Sequence, residues 1–169
     1  MAAYQAGDAA SFDALYAALA PRLRRYLTGL ARDAALTEDL LQEVFLRFHR
    51  ARHTHDPALP LLPWAYAIAR NVFLMECRRR GRRPRESPML EGEPEPTPMT
   101  TTDLTAAHDV ERALGRLQPE SRQAIDLHHL GGHDFAEVAA RLGISEGAAR
   151  ARSHRGMEAL RRFFRRRKP

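Results

Sequence analysis

DFAEVAARLGISEGAARARSHR, residues 134–155, is the stretch that decides the fold, and its pattern is typical of a helix-turn-helix. Asp134 can cap a helix, and Glu137 three positions later completes a capping box. Apolar side chains then recur on one face of a short helix, at Phe135, Val138, Ala139 and Leu142. The first half of this stretch therefore predicts a short amphipathic helix with a defined start.

The second half predicts a tight turn and a basic helix. Gly143 can take the left-handed conformation that ends a helix, and Ser145 can cap the next one. The exposed side of that second helix carries Arg150, Arg152, His154 and Arg155. A short helix, a glycine turn and an arginine-rich helix form an arrangement that presents side chains to the DNA major groove. An ordinary helical hairpin with a solvated basic face is the alternative.

Composition also favours a polyanionic partner. The 169 residues carry a formal net charge of +6, and the sequence pI is about 10.4. Of the 27 basic residues only Lys168 is a lysine, and the planar fork of arginine suits phosphate and guanine. Nucleic acid and an acidic membrane surface both fit this charge, and a GC-rich genome would also raise the arginine content.

The sequence favours a reducing compartment. Cys77 is the single cysteine, so an internal disulfide is impossible. The N-terminus lacks a basic, apolar leader, and no apolar run approaches the roughly 20 residues that span a bilayer. We therefore expect a cytoplasmic protein without membrane insertion.

The N-terminal half predicts three amphipathic helices. Residues 12–30 form the first, and Thr37 is predicted to cap the second. Pro63 fits the first turn of the third helix, which ends in an arginine run. The apolar stripe of the second helix comprises Leu40, Leu41, Val44, Phe45 and Phe48. One side of the third is predicted to hold Trp64, Ile68, Val72 and Met75.

Composition changes abruptly at residues 84–103, which hold five prolines and four glutamates and predict a flexible linker. This linker carries 1 basic and 5 acidic residues, whereas residues 1–83 and 104–169 each carry 13 basic and 8 acidic residues. The last part predicts a helix through Leu104, Ala107, Val110, Leu114 and Leu117, and another that Pro119 opens. Two small all-α domains, 1–83 and 104–169, are therefore expected.

Four blocks in this order resemble bacterial sigma factors, and most of all their small extracytoplasmic-function (ECF) group within the sigma-70 family. The blocks are GDAASFDALY, TEDLLQEVFLRFHRAR, PWAYAIARNVFLMECRRR and LGRLQPESRQAIDLHHLGGHDFAEVAARLGISEGAARARSHRGMEALR. The resemblance implies a region 2-like helical bundle and a region 4-like helix-turn-helix domain. It also implies a factor that binds core RNA polymerase and directs promoter-specific initiation at −10 and −35 elements.

The same resemblance assigns roles to particular residues. The second helix docks on the β′ clamp helices in this family, and the matching positions are Asp39, Gln42, Glu43 and Phe45. Whether Phe45 is exposed there or belongs to the core stays open. The third helix reads and melts the −10 element, and the matching positions are Trp64, Tyr66, Arg70, Asn71, Arg78 and Arg79. The alternative to −10 reading for Trp64 is packing in the core, because its spacing in the third helix also fits a core position.

In this family the second helix of the helix-turn-helix reads the −35 element, and the matching positions are Arg150, Arg152, Ser153, His154 and Arg155. Arginine can pair with guanine O6 and N7, and Arg150 and Arg155 are the expected principal contacts. Two positions depart from the family pattern. Met75 stands where an acidic residue is common, with Glu76 beside it, and Ala151 replaces a frequent small hydroxyl residue.

The implied partners are core polymerase (β′ clamp helices and β flap), promoter DNA and an anti-sigma factor. A conventional helix-turn-helix regulator that does not replace a sigma factor is the main alternative. A metal site is another, from His49, His53 and His55 or from His128, His129 and His133. No phosphate loop, nucleophile elbow or paired carboxylates occur, so we expect no enzyme, no catalytic residue, no metal and no cofactor.

Overall fold

The computed structural model describes residues 1–8, 10–56, 59–81 and 100–166, and these contain helices without strands. The N-terminal group of helices comprises α1 (Ala2–Gln5), α2 (Ala10–Ala31), α3 (Ala34–Ala51) and α4 (Leu61–Arg79). A 3₁₀ turn, Arg52–Thr54, follows α3. The C-terminal group comprises α5 (Thr101–Gly115), α6 (Pro119–His128), α7 (Phe135–Leu142) and α8 (Glu146–Arg165). The all-α prediction is confirmed.

The start of α3 differs from its prediction. Asp33 is the N-cap, and its carboxylate accepts a hydrogen bond from the Leu36 amide at 3.0 Å. Thr37, predicted to be the cap, is buried inside the helix, where its hydroxyl donates to the Asp33 carbonyl at 2.8 Å. Both residue types can cap a helix. With Asp33 as the N-cap, α3 begins early enough for Leu36 to belong to its buried stripe. The one-turn helix α1 had no sequence signal.

The C-terminal group begins earlier than the linker prediction allowed. Thr100 caps α5 by accepting from the Asp103 amide at 3.2 Å, so residues 101–103 are helical. Asp103 is buried, whereas the neighbouring Leu104 is largely exposed. Parts of the chain lie outside the described residues, among them Arg82 and Arg83, residues 84–99 of the linker, and the tail from 167.

The helix-turn-helix forms as its sequence predicted. Asp134 and Glu137 make both hydrogen bonds of the capping box, and Gly143 ends α7 with φ of +64°. Ser145 caps α8 by accepting from the Ala148 amide at 3.2 Å. Val138, Ala139 and Ala149 form a small separate core between α7 and α8. Each of these features depends on residues a few positions apart, which is why the sequence predicts them well.

One continuous core joins the two helix groups. It runs from Leu23, Leu27 and Phe48 in the N-terminal group to Ile125 and Leu160 in the C-terminal group. α5 packs along α4, and α6 packs on α8. The two predicted helical regions therefore share an interface in this structure. No helix within the described ranges has both the length and the apolar character that crossing a bilayer requires.

Candidate nucleic-acid and polymerase interfaces

The exposed side of α8 carries the predicted −35 readers. Arg150, His154 and Arg155 are exposed, and Arg152 lies at the edge of this face. The Arg150 guanidinium lies 4.7 Å from the centre of the Phe135 ring and pairs with Glu146 at 2.5 Å. The stacking and the ion pair hold this side chain beside the N-terminal turns of α8, the part of a recognition helix that meets base edges.

Ser153 lies on the other side of α8. Its side chain is 3% exposed, and its hydroxyl lies 3.1 Å from Nε2 of His129. The buried side of this helix also includes Ala149, Gly156, Met157 and Leu160. A β-carbon at Gly156 would lie 2.8 Å from Ile125, so α6 and α8 approach too closely there for a larger residue. In this structure Ser153 supports the position of α8 and does not face solvent.

Among the predicted −10 readers, Trp64 and Tyr66 are held by packing. The Trp64 ring lies 4.8 Å from that of Phe48, and its indole N–H donates to the His129 carbonyl at 3.2 Å. Tyr66 is 0% exposed and meets Tyr26 edge-on at 5.0 Å between ring centres. Burial, with the nearby Asp103 carboxylate, raises the pKa of Tyr66. Trp64 is thus partly accessible, and Tyr66 is not.

The polar side chains of the same helix also have partners. Arg70 pairs with Glu111 of α5 at 3.0 Å, and the side-chain oxygen Oδ1 of Asn71 accepts a hydrogen bond from Arg47 at 3.3 Å. These two contacts differ in kind, because Glu111 belongs to the C-terminal group and Arg47 to α3. Arg70 is therefore engaged across the interface, whereas Asn71 is oriented from within its own group.

The C-terminal end of α4 is exposed and basic. Arg78 and Arg79 face solvent, and Glu76 pairs with Arg79 at 2.7 Å and also with Arg80. Hydrogen bonds from these two arginines lower the pKa of Glu76 to about 2. Glu76 thus forms the local ion pairs at the position next to Met75, which is itself exposed.

The predicted polymerase surface on α3 is divided between exposed acids and a buried aromatic ring. Asp39 and Gln42 are exposed, and Glu43 pairs with Arg47 at 2.6 Å. Phe45 is buried, with ring centres 4.5 Å from Tyr16 and 6.2 Å from Phe48. The structure thus places Phe45 in the core of the N-terminal group.

An apolar residue that the sequence reading missed lies beside this surface. Leu46 is 54% exposed and lines a shallow groove with Tyr16, Gln42 and Phe45. Its signal was available, because Leu46 falls outside the apolar stripe of an otherwise amphipathic helix. An apolar side chain on the polar side of a helix often marks a contact surface.

The interface between the two helix groups covers much of α4. Ion pairs cross it between described residues: Arg161–Asp56, Arg70–Glu111, and Asp103 with both Arg22 and Arg25 at 3.6 Å. Gly132 (φ +73°) contacts α3 so closely that a β-carbon would lie 2.8 Å from Arg50 Cβ. The face of α4 that meets α5 and α6 is therefore covered, while the basic face of α8 is open.

The histidines of the proposed metal sites have separate surroundings. The His49 ring bonds to the Tyr4 hydroxyl at 2.6 Å, and His128 Nδ1 lies 2.7 Å from the His133 carbonyl oxygen. His133 pairs with Glu137 at 3.1 Å, and His55 lies in an apolar environment. In the parts of the chain that are described, no group of three or more His, Cys, Asp or Glu side chains could hold a metal.

Comparison with known proteins agrees with this architecture. Residues 15–83 match the family Sigma-70 region 2, and residues 107–160 match Sigma-70, region 4. RNA polymerase sigma factor CarQ of Myxococcus xanthus is 35% identical over 168 residues, which cover 97% of this chain and 95% of CarQ. ECF RNA polymerase sigma factor SigF of Caulobacter vibrioides is 36% identical over 164 residues, which cover 95% and 89%.

A solved structure is also similar, the sigma factor RpoE in complex with the anti-sigma factor NepR from Bartonella quintana. It has 23% identity and a TM-score of 0.41, with 92% of this chain and 97% of that chain covered. The two region matches and the relatives are consistent with a non-enzymatic initiation factor and do not favour a conventional regulator. The chain belongs to the extracytoplasmic-function group of sigma-70 factors, which direct promoter-specific transcription with RNA polymerase.

Proposed function

We propose that this sigma factor reads the −35 element with the open face of α8. The observation that carries this proposal is the separation of that helix into two sides. Arg150, His154 and Arg155 face solvent, while Ala149 and Ser153 face the core. The major groove can therefore receive the exposed side without any change in the packing of α8. Ser153 acts as a support for the helix and Arg152 as a contact at its edge.

The −10 element is assigned to α4, through Trp64, Arg70, Asn71, Arg78 and Arg79. Melting requires bases held out of the stack, at a cost of a few kcal/mol. Stacking on an aromatic ring such as Trp64 returns roughly 1–3 kcal/mol for each base. Trp64 and Arg70 are engaged by His129 and Glu111 in this structure. The two helix groups must therefore separate before α4 can accept a melted strand.

The division into functional parts follows the sequence boundaries. Residues 1–83 bind polymerase and the −10 element, residues 104–169 together with the first turn of α5 bind the −35 duplex, and the rest of residues 84–103 joins them. We assign to the acidic linker the role of mimicking nucleic acid in a basic channel of the polymerase. Changing Glu91, Glu93 and Glu95 together to glutamine should impair initiation, and unchanged transcript yield would remove this role.

The outer face of α3 is assigned to the β′ clamp helices, through Asp39, Gln42 and Glu43, with Leu46 as an apolar anchor. Acidic and polar side chains beside an exposed leucine suit a basic coiled coil. Leu46→Ala should weaken polymerase binding and leave stability nearly unchanged, because Leu46 is 54% exposed. Phe45→Ala should instead destabilise the fold by about 3–5 kcal/mol, because its ring is buried.

Urea unfolding and polymerase pull-down of these two variants separate the roles. If Leu46→Ala retained full binding while Asp39→Ala lost it, the apolar anchor would be excluded and the acidic contact kept. The C-terminal group is assigned to the β flap. We also propose a cytoplasmic location and an anti-sigma factor as a regulatory partner, on the resemblance to the ECF group.

In vitro transcription with purified core polymerase tests the assignment of surfaces. Wild-type protein should direct initiation from defined start sites, and the Arg150→Ala/Arg155→Ala variant should lose promoters that depend on a −35 element. The same variant should retain polymerase binding, since both residues lie on α8 far from α3 in sequence and face solvent. Start sites that were unaffected by this double change would contradict the −35 assignment.

A further inference from the structure

The interface between the helix groups encloses two histidines. His55 follows the 3₁₀ turn after α3, and His129 follows α6. Between them lies a cavity of about 50 Å³ whose lining comes from α4, α5, α6, α8 and the loop before α4. Its volume is far below the roughly 300–1,000 Å³ of metabolite sites, so we do not assign it a ligand. The cavity instead places two titratable imidazole rings at the interface between the helix groups.

The charged form of His55 is unfavourable at this interface. Its side chain is 7% exposed, and neither ring nitrogen has a hydrogen-bond partner among the described residues. The ring lies 4.8 Å from that of Trp64, and the cavity beside it is lined mainly by apolar groups. Transfer of an imidazolium into such surroundings is unfavourable because nothing replaces its lost hydration. Burial accordingly lowers the pKa of His55, with the Asp56 carboxylate opposing and the chain's amino terminus adding to the effect.

His129 joins the two groups through its neutral form. Nδ1 lies 2.9 Å from the Thr54 carbonyl oxygen, which can only accept, so Nδ1 carries the hydrogen. Nε2 is then the acceptor for the Ser153 hydroxyl, 3.1 Å away. Burial lowers the pKa of His129 to about 4, and the adjacent His128 and Arg161 act in the same direction. The Thr54 carbonyl and Asp56 oppose this shift.

The charged neighbours do not cancel this preference. Asp56 faces both histidines, but its carboxylate is already paired with Arg161 of α8. From α4 the cavity is lined by Pro63, Trp64 and Ala67, and from α5 by Val110, Ala113 and Leu114. These side chains offer no counter-ion. An added proton on either histidine would therefore be better accommodated in water than at the closed interface.

We propose that protonation of His55 and His129 separates the two helix groups, so that their interface is a proton-sensitive latch over α4. This inference rests on the proposed function only in that the separated form exposes Trp64 and Arg70 to the −10 strand. The latch itself is a property of the free chain. It makes mild acidification a signal that this sigma factor can register without a partner.

The direction of the pH effect follows from proton linkage. The closed form has histidines of lowered pKa and therefore binds fewer protons than the separated form, whose histidines titrate near about 6.5. The closed form is thus fully favoured above pH of about 6.5 and loses stability as the pH falls below that value. Between pH 7.5 and 5.5, His129, whose pKa falls to about 4 in the closed form, should shift the equilibrium about tenfold towards the separated form, and His55 should add to this shift in the same direction.

Trp64 provides the readout because it is the only tryptophan and lies at the interface. We would measure acrylamide quenching of Trp64 and the radius of gyration of the full chain between pH 7.5 and 5.5. Far-ultraviolet circular dichroism would run in parallel. The latch predicts greater quenching and expansion at pH 5.5 with helix content retained. The His55→Phe/His129→Gln variant should remove most of this change, since glutamine can still donate to Thr54.

His108→Gln is the matched control, because His108 is exposed on α5 and should leave the pH response unchanged. A wild-type chain that stays compact at pH 5.5 would overturn the proposal. So would an equal response in the double variant, or expansion accompanied by loss of helix. None of these measurements uses DNA or polymerase. Failure of the promoter assignments would instead appear as DNA binding that is insensitive to Arg150 and Arg155.

Discussion

The two helices to which we assign DNA reading differ in what covers them. On α8, Arg150, His154 and Arg155 face solvent, and their side of the helix has no part in the interface between helix groups. On α4, Trp64 is bonded to His129 and Arg70 to Glu111. One structure thus leaves the proposed −35 face open to solvent and covers the proposed −10 face. If both assignments hold, the difference teaches that promoter contact can begin at the −35 element before α4 is released.

The kind of contact that covers α4 also explains why this helix can be released. Its contacts across the interface combine apolar side chains of the shared core with ion pairs and single hydrogen bonds around a small cavity. The cavity leaves part of this apolar surface without close contacts, and a partly exposed pair such as Arg70–Glu111 contributes only about 0–1 kcal/mol, so neither feature holds α4 tightly. By contrast, close packing of Gly156 against Ile125 holds α8 in place. Binding of DNA to the exposed side of α8 does not require this contact to break.

The largest expected effect is on the open helix. Arg150→Ala/Arg155→Ala should weaken binding of the free chain to −35 duplex DNA by about 30-fold or more, since each base contact contributes ~1–3 kcal/mol. Titration of a labelled duplex by fluorescence anisotropy measures this. Arg112→Ala/Arg141→Ala is the control, because it also removes two positive charges, from exposed positions on α5 and α7. An equal loss in the control would mean that α8 contributes only general electrostatic attraction.

A second expected effect is on the covered helix. Gly132→Ala places a β-carbon 2.8 Å from Arg50 Cβ and 3.2 Å from the Ala51 amide nitrogen, which only the closed arrangement forbids. Overpacking of this kind costs about 1–3 kcal/mol, so binding of a single-stranded −10 oligonucleotide should rise by about 5-fold or more. Binding to the −35 duplex should stay the same, because α8 is already open.

Gly143→Ala is matched to this variant. Gly143 also has a positive φ, +64°, but nothing lies within 4 Å of the added β-carbon. It therefore carries the same backbone strain without the interface collision. If Gly143→Ala raised −10 binding as much as Gly132→Ala, the gain would come from local strain and the covered state of α4 would be disproved.

The smallest expected effect is that of one ion pair. Glu111→Gln removes the partner of Arg70, whose Nε lies 3.0 Å from the carboxylate. Because both side chains are partly exposed, the change should raise −10 strand binding by less than about 5-fold. Salt titration checks the cause, since the difference between variant and wild type should shrink as ionic strength rises. A difference that is independent of salt would assign the effect to packing.

Sequence reasoning predicted the helix-turn-helix well because its determinants are local. The capping box at Asp134, the left-handed Gly143 and the Ser145 cap each act within a few residues. The start of α3 was predicted wrongly because Asp33 and Thr37 are both competent caps, and only the burial of Leu36 decides between them. The helix through Leu104 forms, but its buried side includes the carboxylate Asp103 and small alanines, while Leu104 itself faces solvent.

The interface was beyond the reach of the sequence. Its contacts join residues far apart in the chain, such as Thr54 with His129 and Asp56 with Arg161. No periodicity records such a pairing, and the polar groups involved look like ordinary surface residues. Ser153 and Tyr66 illustrate the consequence. Both match reader positions of the family, and both are buried here by partners that only the tertiary structure brings together.

Small-angle scattering from the free chain at pH 7.5 tests the central claim most directly. A compact chain of this length has a radius of gyration of about 15–16 Å. Two separated helix groups on a linker of this length would exceed about 20 Å. The account predicts the compact value for wild-type protein and a larger one for Gly132→Ala. A wild-type value above about 20 Å would contradict the covered state of α4.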